Sequence, residues 1–122
     1  MAKTILVVDD SSSLRTAVRI ALTGAGYEVV EADDGRNGLS KLDGRKYHLV
    51  ISDVNMPNLD GFGFVTAMKQ MAAYKYTPVV MLTTEAGDDK KAKGKEAGAK
   101  AWIVKPFQPP QLLDVVSKLV LP

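Results

Sequence analysis

The chain of 122 residues has no cysteine, a single histidine and a single tryptophan. Without cysteine there are no disulfides, thiolate metal sites or cysteine nucleophiles, a composition compatible with a reducing compartment. No apolar run approaches the ~20 residues of a membrane span, and the opening MAKTILVVDD reaches two acids before any signal-like core develops. A cytoplasmic location is therefore expected, without membrane attachment. Internal repeats, linkers and low-complexity segments are also missing, so one domain over residues 1–122 with no output domain is expected, and 46% hydrophobic residues suffice for its core. Nor is there a dense Lys/Arg stripe. The net charge is +2, with 7 Lys/Arg against 9 Asp/Glu in residues 1–61 and 9 against 5 in residues 62–122. That bias suits an acidic partner surface and falls short of nucleic-acid binding.

What is present is a regular alternation. Apolar runs at Ile5–Val8, Tyr27–Val30, Leu49–Ile51, Val79–Leu82 and Ala101–Val104 read as five short strands. Between them, helical spacing joins Leu14, Val18, Ala21 and Leu22; Leu39 and Leu42; Phe62, Val65, Met68 and Met71; and Leu112, Leu113, Val116 and Leu119. Residues 87–97 form the weakest helical segment, short, Lys-rich and interrupted by Gly94. Gly24, Gly26, Gly44 and Gly98 mark helix ends, and Ser11 is placed to N-cap the first helix. Continuous apolar strands alternating with helices predict an α/β fold, a (βα)5 doubly wound parallel sheet with helices on both faces.

In such a sheet, ligands bind outside the carboxyl ends of the strands. The residues there are Asp9 and Asp10, then Asp53, then Thr83 and Thr84, then Lys105. Each has an ordinary reading alone: aspartates cap helices, threonines fill turns, lysines are solvated. Their conjunction at four strand ends points to a site. Three carboxylates at ~4 Å would repel by roughly 4 kcal/mol per pair at an effective dielectric near 20, which calls for a cation. Oxygen ligands with no His or Cys favour a hard ion, Mg²⁺ or Mn²⁺ in its place, and Mg²⁺ characteristically engages phosphate. Asp53 would then be the nucleophile forming an aspartyl phosphate, with Thr83 and Lys105 on the phosphoryl oxygens.

The motifs LVVDDS, LVISDVNMPNLDG, VVMLTTE and GAKAWIVKPF, in this order, resemble the receiver domain of two-component response regulators over the full chain. The resemblance implies strand order 2-1-3-4-5, the order of flavodoxin-like sheets. It implies that Asp53 takes a phosphoryl group from a phosphohistidine on a histidine kinase or His phosphotransfer domain. Asp10, Asp53 and the Asn55 carbonyl would bind Mg²⁺ directly and Asp9 through a water, while the Lys105–Pro106 bond would be cis. The chain would be no enzyme beyond weak self-catalysed phosphorylation and dephosphorylation. Trp102 stands where the family usually has Tyr or Phe, an aromatic that swings inward as Thr83 moves toward the phosphoryl group. Asn55 and Glu85 resemble the pair that accompanies fast loss of the phosphoryl group in chemotaxis regulators.

Acting as a monomer, the protein would signal to a downstream target through the face around Trp102, joined by Lys90, Lys91, Lys93 and Lys95 of the weak helix. A phosphorelay intermediate is the alternative to a chemotaxis-type regulator. An Asp-nucleophile phosphatase of the haloacid dehalogenase type would need D-x-D where Asp9 and Asp10 are adjacent. A flavodoxin-like module would set a phosphate against those same carboxylates. GFG at Gly61–Gly63 is too short for a dinucleotide fingerprint. His48, at a strand start, reads as structural.

Overall fold

The computed structural model describes residues 2–84 and 88–120, with the side chains of residues 88–90 excepted. Five strands, β1 (Thr4–Val8), β2 (Glu28–Ala32), β3 (Leu49–Asp53), β4 (Val79–Thr83) and β5 (Ala101–Val104), form one parallel sheet in the order β2-β1-β3-β4-β5. The helices are α1 (Ser12–Gly24), α2 (Gly35–Lys41), α3 (Gly61–Lys69), α4 (Asp88–Ala97) and α5 (Pro109–Leu119), with a 3₁₀ turn at Ala72–Tyr74. This is the flavodoxin-like (βα)5 fold expected of the sequence. Among the described residues no helix is long and apolar enough to cross a membrane.

Side-chain alternation along the strands sorts the core into two layers. Ile5, Val7, Leu49, Ile51, Val80 and Leu82 pack with Val18 and Leu22 of α1 and Leu112 and Val116 of α5. Leu6, Val8, Val50, Val79 and Met81 face the other way, against Phe62, Phe64, Val65 and Met68 of α3. Both faces of β1, β3 and β4 are covered, which is why these strands read as unbroken apolar runs.

The starts of α1, α2 and α3 are held by capping side chains. Ser11 Oγ accepts from Leu14 N at 3.3 Å, Asp34 Oδ1 from Asn37 N at 2.7 Å and Asp60 Oδ1 from Gly63 N at 2.8 Å. Gly26 and Gly98 follow α1 and α4 with φ of +94° and +115°, the left-handed region that ends a helix without Cβ strain. Gly44 has φ +101° in the loop after α2.

His48 joins the starts of two strands. Its backbone N–H donates to Thr4 O at 2.8 Å, and its Nδ1 accepts from Thr4 N at 3.0 Å, extending the ladder between β1 and β3 by one side-chain bond. Nδ1 must therefore be unprotonated, and burial followed by the charges of Lys3 and Lys46 holds the imidazole below its ordinary 6.5.

Candidate functional site

Register sets the site. Asp53 ends β3 opposite Leu82, and Thr83 ends β4 opposite Val104, so the residues that follow or close β1, β3, β4 and β5 emerge along one edge. Asp9 and Asp10 leave β1 there, and Lys105 leaves β5. Asp9 is wholly buried, Asp53 is 5% exposed and Thr83 1%, whereas Asp10 is exposed.

Asp9, Asp10 and Asp53 each bring a carboxylate oxygen within 4.8 Å of the others. Lys105 Nζ bridges two of them, 3.2 Å from Asp9 Oδ2 and 3.0 Å from Asp53 Oδ1. Asp9 is further fixed by Ser11 N, which donates to its Oδ1 at 2.8 Å, and by Arg15 Nη1, which donates to its carbonyl at 2.5 Å. Arg15 in turn pairs with Glu31. Asp53 Oδ1 also accepts from Val54 N at 2.9 Å, while Oδ2 accepts no hydrogen bond among the described residues. Asp10 makes no side-chain bond among them. One lysine against three carboxylates leaves the cluster net negative. Burial first and the Asp9 charge second push the Asp53 carboxyl above its ordinary 3.8, opposed by Lys105 and Val54 N–H.

A donor set made only of oxygens, crowded and incompletely neutralised, has the chemistry a hard divalent cation requires, and Mg²⁺ fits it. The loop after β3 is drawn tightly over the cluster. Gly61 N donates to Val54 O at 2.8 Å, and a Cβ at Gly61 would lie 2.1 Å from the Asp53 carbonyl. Glycine is thus what lets α3 begin against the end of β3, a role the sequence showed only as an unassigned GFG. Asn55 is exposed in this loop, and the Lys105–Pro106 bond is cis. Glu85 lies outside the described residues.

Trp102 is at the far side of the sheet, half-buried in β5, one residue from the buried Ile103. Its ring stacks on Phe62 with centroids 6.4 Å apart and planes at 22°. Of the predicted lysines, Lys91 and Lys95 line a cavity of about 160 Å³ with Trp102. Lys93 instead places Nζ 4.9 Å from the centroid of Phe62, and the Lys90 side chain lies outside the described residues. Lys100, just before β5, completes the lysine-lined cavity. Nothing local in the sequence distinguishes Arg15 or Lys100 from ordinary solvated residues, while Gly61 and Phe62 show there only as GFG and as part of a helical apolar spacing.

The chain matches the response regulator receiver domain family over residues 5–117. It is 38% identical to the chemotaxis protein CheY1 of Helicobacter pylori, covering 96% of this chain and 95% of that one. The chemotaxis protein CheY4 of Vibrio cholerae superposes with a TM-score of 0.94 at 46% identity, covering 98% and 99% of the two chains. A receiver domain of a Pseudomonas aeruginosa sensor histidine kinase, solved with magnesium coordinated in its active-site cleft, superposes with a TM-score of 0.91 over 98% of each chain; at 22% identity it speaks for the fold alone. With an acid-lined strand edge on a flavodoxin-like sheet, and with these likenesses across nearly its whole length, the chain belongs to the response regulator receiver domain family.

Proposed function

We propose that Asp53 accepts a phosphoryl group from a phosphohistidine of a histidine kinase or His phosphotransfer domain, and that the chain passes the signal on by changing the face around Trp102. The observation that carries this reading is the division of labour between the two Asp53 oxygens. Oδ1 is held by Lys105 Nζ and Val54 N–H, which leaves Oδ2 as the nucleophile. Oδ2 forms the new bond to phosphorus as the P–N bond of the donor breaks, and the bonding pair leaves with the imidazole nitrogen. Lys105, already between Asp9 and Asp53, turns toward the phosphoryl oxygens as negative charge builds there, and the Thr83 hydroxyl donates a hydrogen bond to another of them.

Asp10, Asp53 and the Asn55 carbonyl would hold Mg²⁺, or Mn²⁺ in its place, and Asp9 would contribute through a water. This division is supported by the hydrogen bonding: both Asp9 oxygens already have protein donors, and Asp10 has none among the described residues. When bound, the ion supplies positive charge to offset the carboxylates and the incoming phosphoryl group. Asn55 and Glu85 would tune loss of the phosphoryl group, and the chain would catalyse nothing beyond its own phosphorylation and dephosphorylation. Lys91, Lys95 and Lys100 around Trp102 suit an acidic downstream partner. Because CheY1 and CheY4 are chemotaxis proteins, a chemotaxis-type regulator is preferred to a phosphorelay intermediate.

Acetyl phosphate with Mg²⁺ should label one peptide, containing Asp53, and Asp53→Asn should reduce labelling by at least tenfold. Labelling of that variant at the wild-type rate would overturn the assignment.

A further inference from the structure

Gly94 lies buried within α4, a helix otherwise composed of lysines, acids and alanines. Glycine weakens a helix interior relative to alanine, because it gives up more backbone freedom on folding. Its neighbour across the interface supplies a reason for it to be there. A Cβ built on Gly94 would lie 2.6 Å from Cζ3 of Trp102, inside any real contact distance, and a tight 3.0 Å from its Cε3. The benzo edge of the indole therefore rests on the helix backbone itself. The same ring stacks on Phe62, whose own Cε1 would be 3.8 Å from that Cβ.

This seat is held by packing and not by polar bonding. Trp102 Nε1 is buried and has no hydrogen-bond partner among the described residues. A buried donor without an acceptor opposes the position it occupies, and turning the ring outward would return that N–H to water. The cavity bordered by Lys91, Lys95 and Lys100 adjoins the indole and gives the ring somewhere to turn.

We propose that Gly94 is the positioning residue that admits Trp102 to its inner seat, and that indole and α4 are interlocked. The seat exists only while α4 presents bare backbone at its present distance. Displacing α4 releases the ring, and turning the ring out removes support from a helix that has little of its own. The interlock stands on packing alone; its use as a switch rests on the reading that Asp53 is a phosphoacceptor.

Trp102 is the sole tryptophan, so its emission reports the seat directly. In metal-free, donor-free protein, Gly94→Ala should shift emission to longer wavelength and increase acrylamide quenching, with helical circular dichroism retained because alanine favours the helix. Melting temperature gives a second readout: Gly94→Ala should lower it in the wild-type background and raise it in a Trp102→Leu background, where only helix propensity is left. Unchanged emission and quenching, or an equal rise in melting temperature in both backgrounds, would overturn the interlock. Beryllofluoride with Mg²⁺ is the separate test of the phosphoacceptor reading, and a wild-type protein indifferent to it would sink that reading while leaving the Gly94 result in place.

Discussion

Burial and the adjacent Asp9 carboxylate push the Asp53 carboxyl above its ordinary value, against the pull of Lys105 Nζ at 3.0 Å. A raised folded-state value means that ionised Asp53 opposes folding. Its stabilising contribution is full below 3.8, the ordinary value, and is lost as pH rises through the higher folded-state value. In metal-free buffer, Asp53→Asn should therefore melt above wild type at pH 7, by roughly 4 °C for each kcal/mol of relieved repulsion. The gap should close below about pH 3.8. Paired thermal melts at the two pH values check this, and a gap independent of pH would mean that charge is not its source. Asp9, Asp53, Thr83 and Lys105 could be picked out of the sequence because each polar side chain closes or follows an apolar strand. Arg15 could not, since a helical arginine looks the same whether or not it clasps the Asp9 carbonyl.

Pairing between elements adds a second pH dependence. The β1–β3 ladder begins with a bond from Thr4 N to His48 Nδ1, which requires a neutral imidazole. With its folded value below 6.5, His48 contributes stability that is present above 6.5 and is lost as pH falls through the folded value. In His48→Asn the amide oxygen can take the same bond and does not titrate. Between pH 7 and 5 wild type should lose stability relative to this variant, by about 1 kcal/mol if the bond is of ordinary strength. Denaturant midpoints at the two pH values measure it, and parallel acid dependence would remove His48 from the account. The helices were legible from their periodicity and caps, α4 least so. Its weak apolar pattern is explained by its role, since it meets Trp102 and Phe62 through a glycine and leaves Lys91, Lys93 and Lys95 exposed.

For the whole molecule, the crowded acids at one edge would couple folding to the binding of a divalent cation. A cation that binds only the folded chain adds about 2.7 kcal/mol at a hundred times its Kd, roughly 10 °C in a domain of this size. Millimolar Mg²⁺ should raise the melting temperature over an EDTA control, and Asp10→Ala should both raise the metal-free value and abolish most of the shift. A melting temperature that does not move with Mg²⁺ in wild type would count against a metal at this edge. The excess of lysine in the second half of the chain collects around Trp102 in part, with Lys91, Lys95 and Lys100 on one cavity, while Lys105 is drawn into the acid cluster.

The amino-acid sequence by itself determined the number and order of the elements, the two-sided burial of the central strands and the chemical types at their ends. These are local properties, carried by hydrophobic periods of two and of 3.6 residues and by capping residues a few positions away. Tertiary structure decided which of two adjacent aspartates is buried beside Lys105, 96 residues further along the chain, and which stays exposed. It also decided that Gly94 makes room for an indole and that His48 completes a ladder. Those outcomes depend on the strand order and on how closely elements far apart in sequence pack, and no local pattern encodes either.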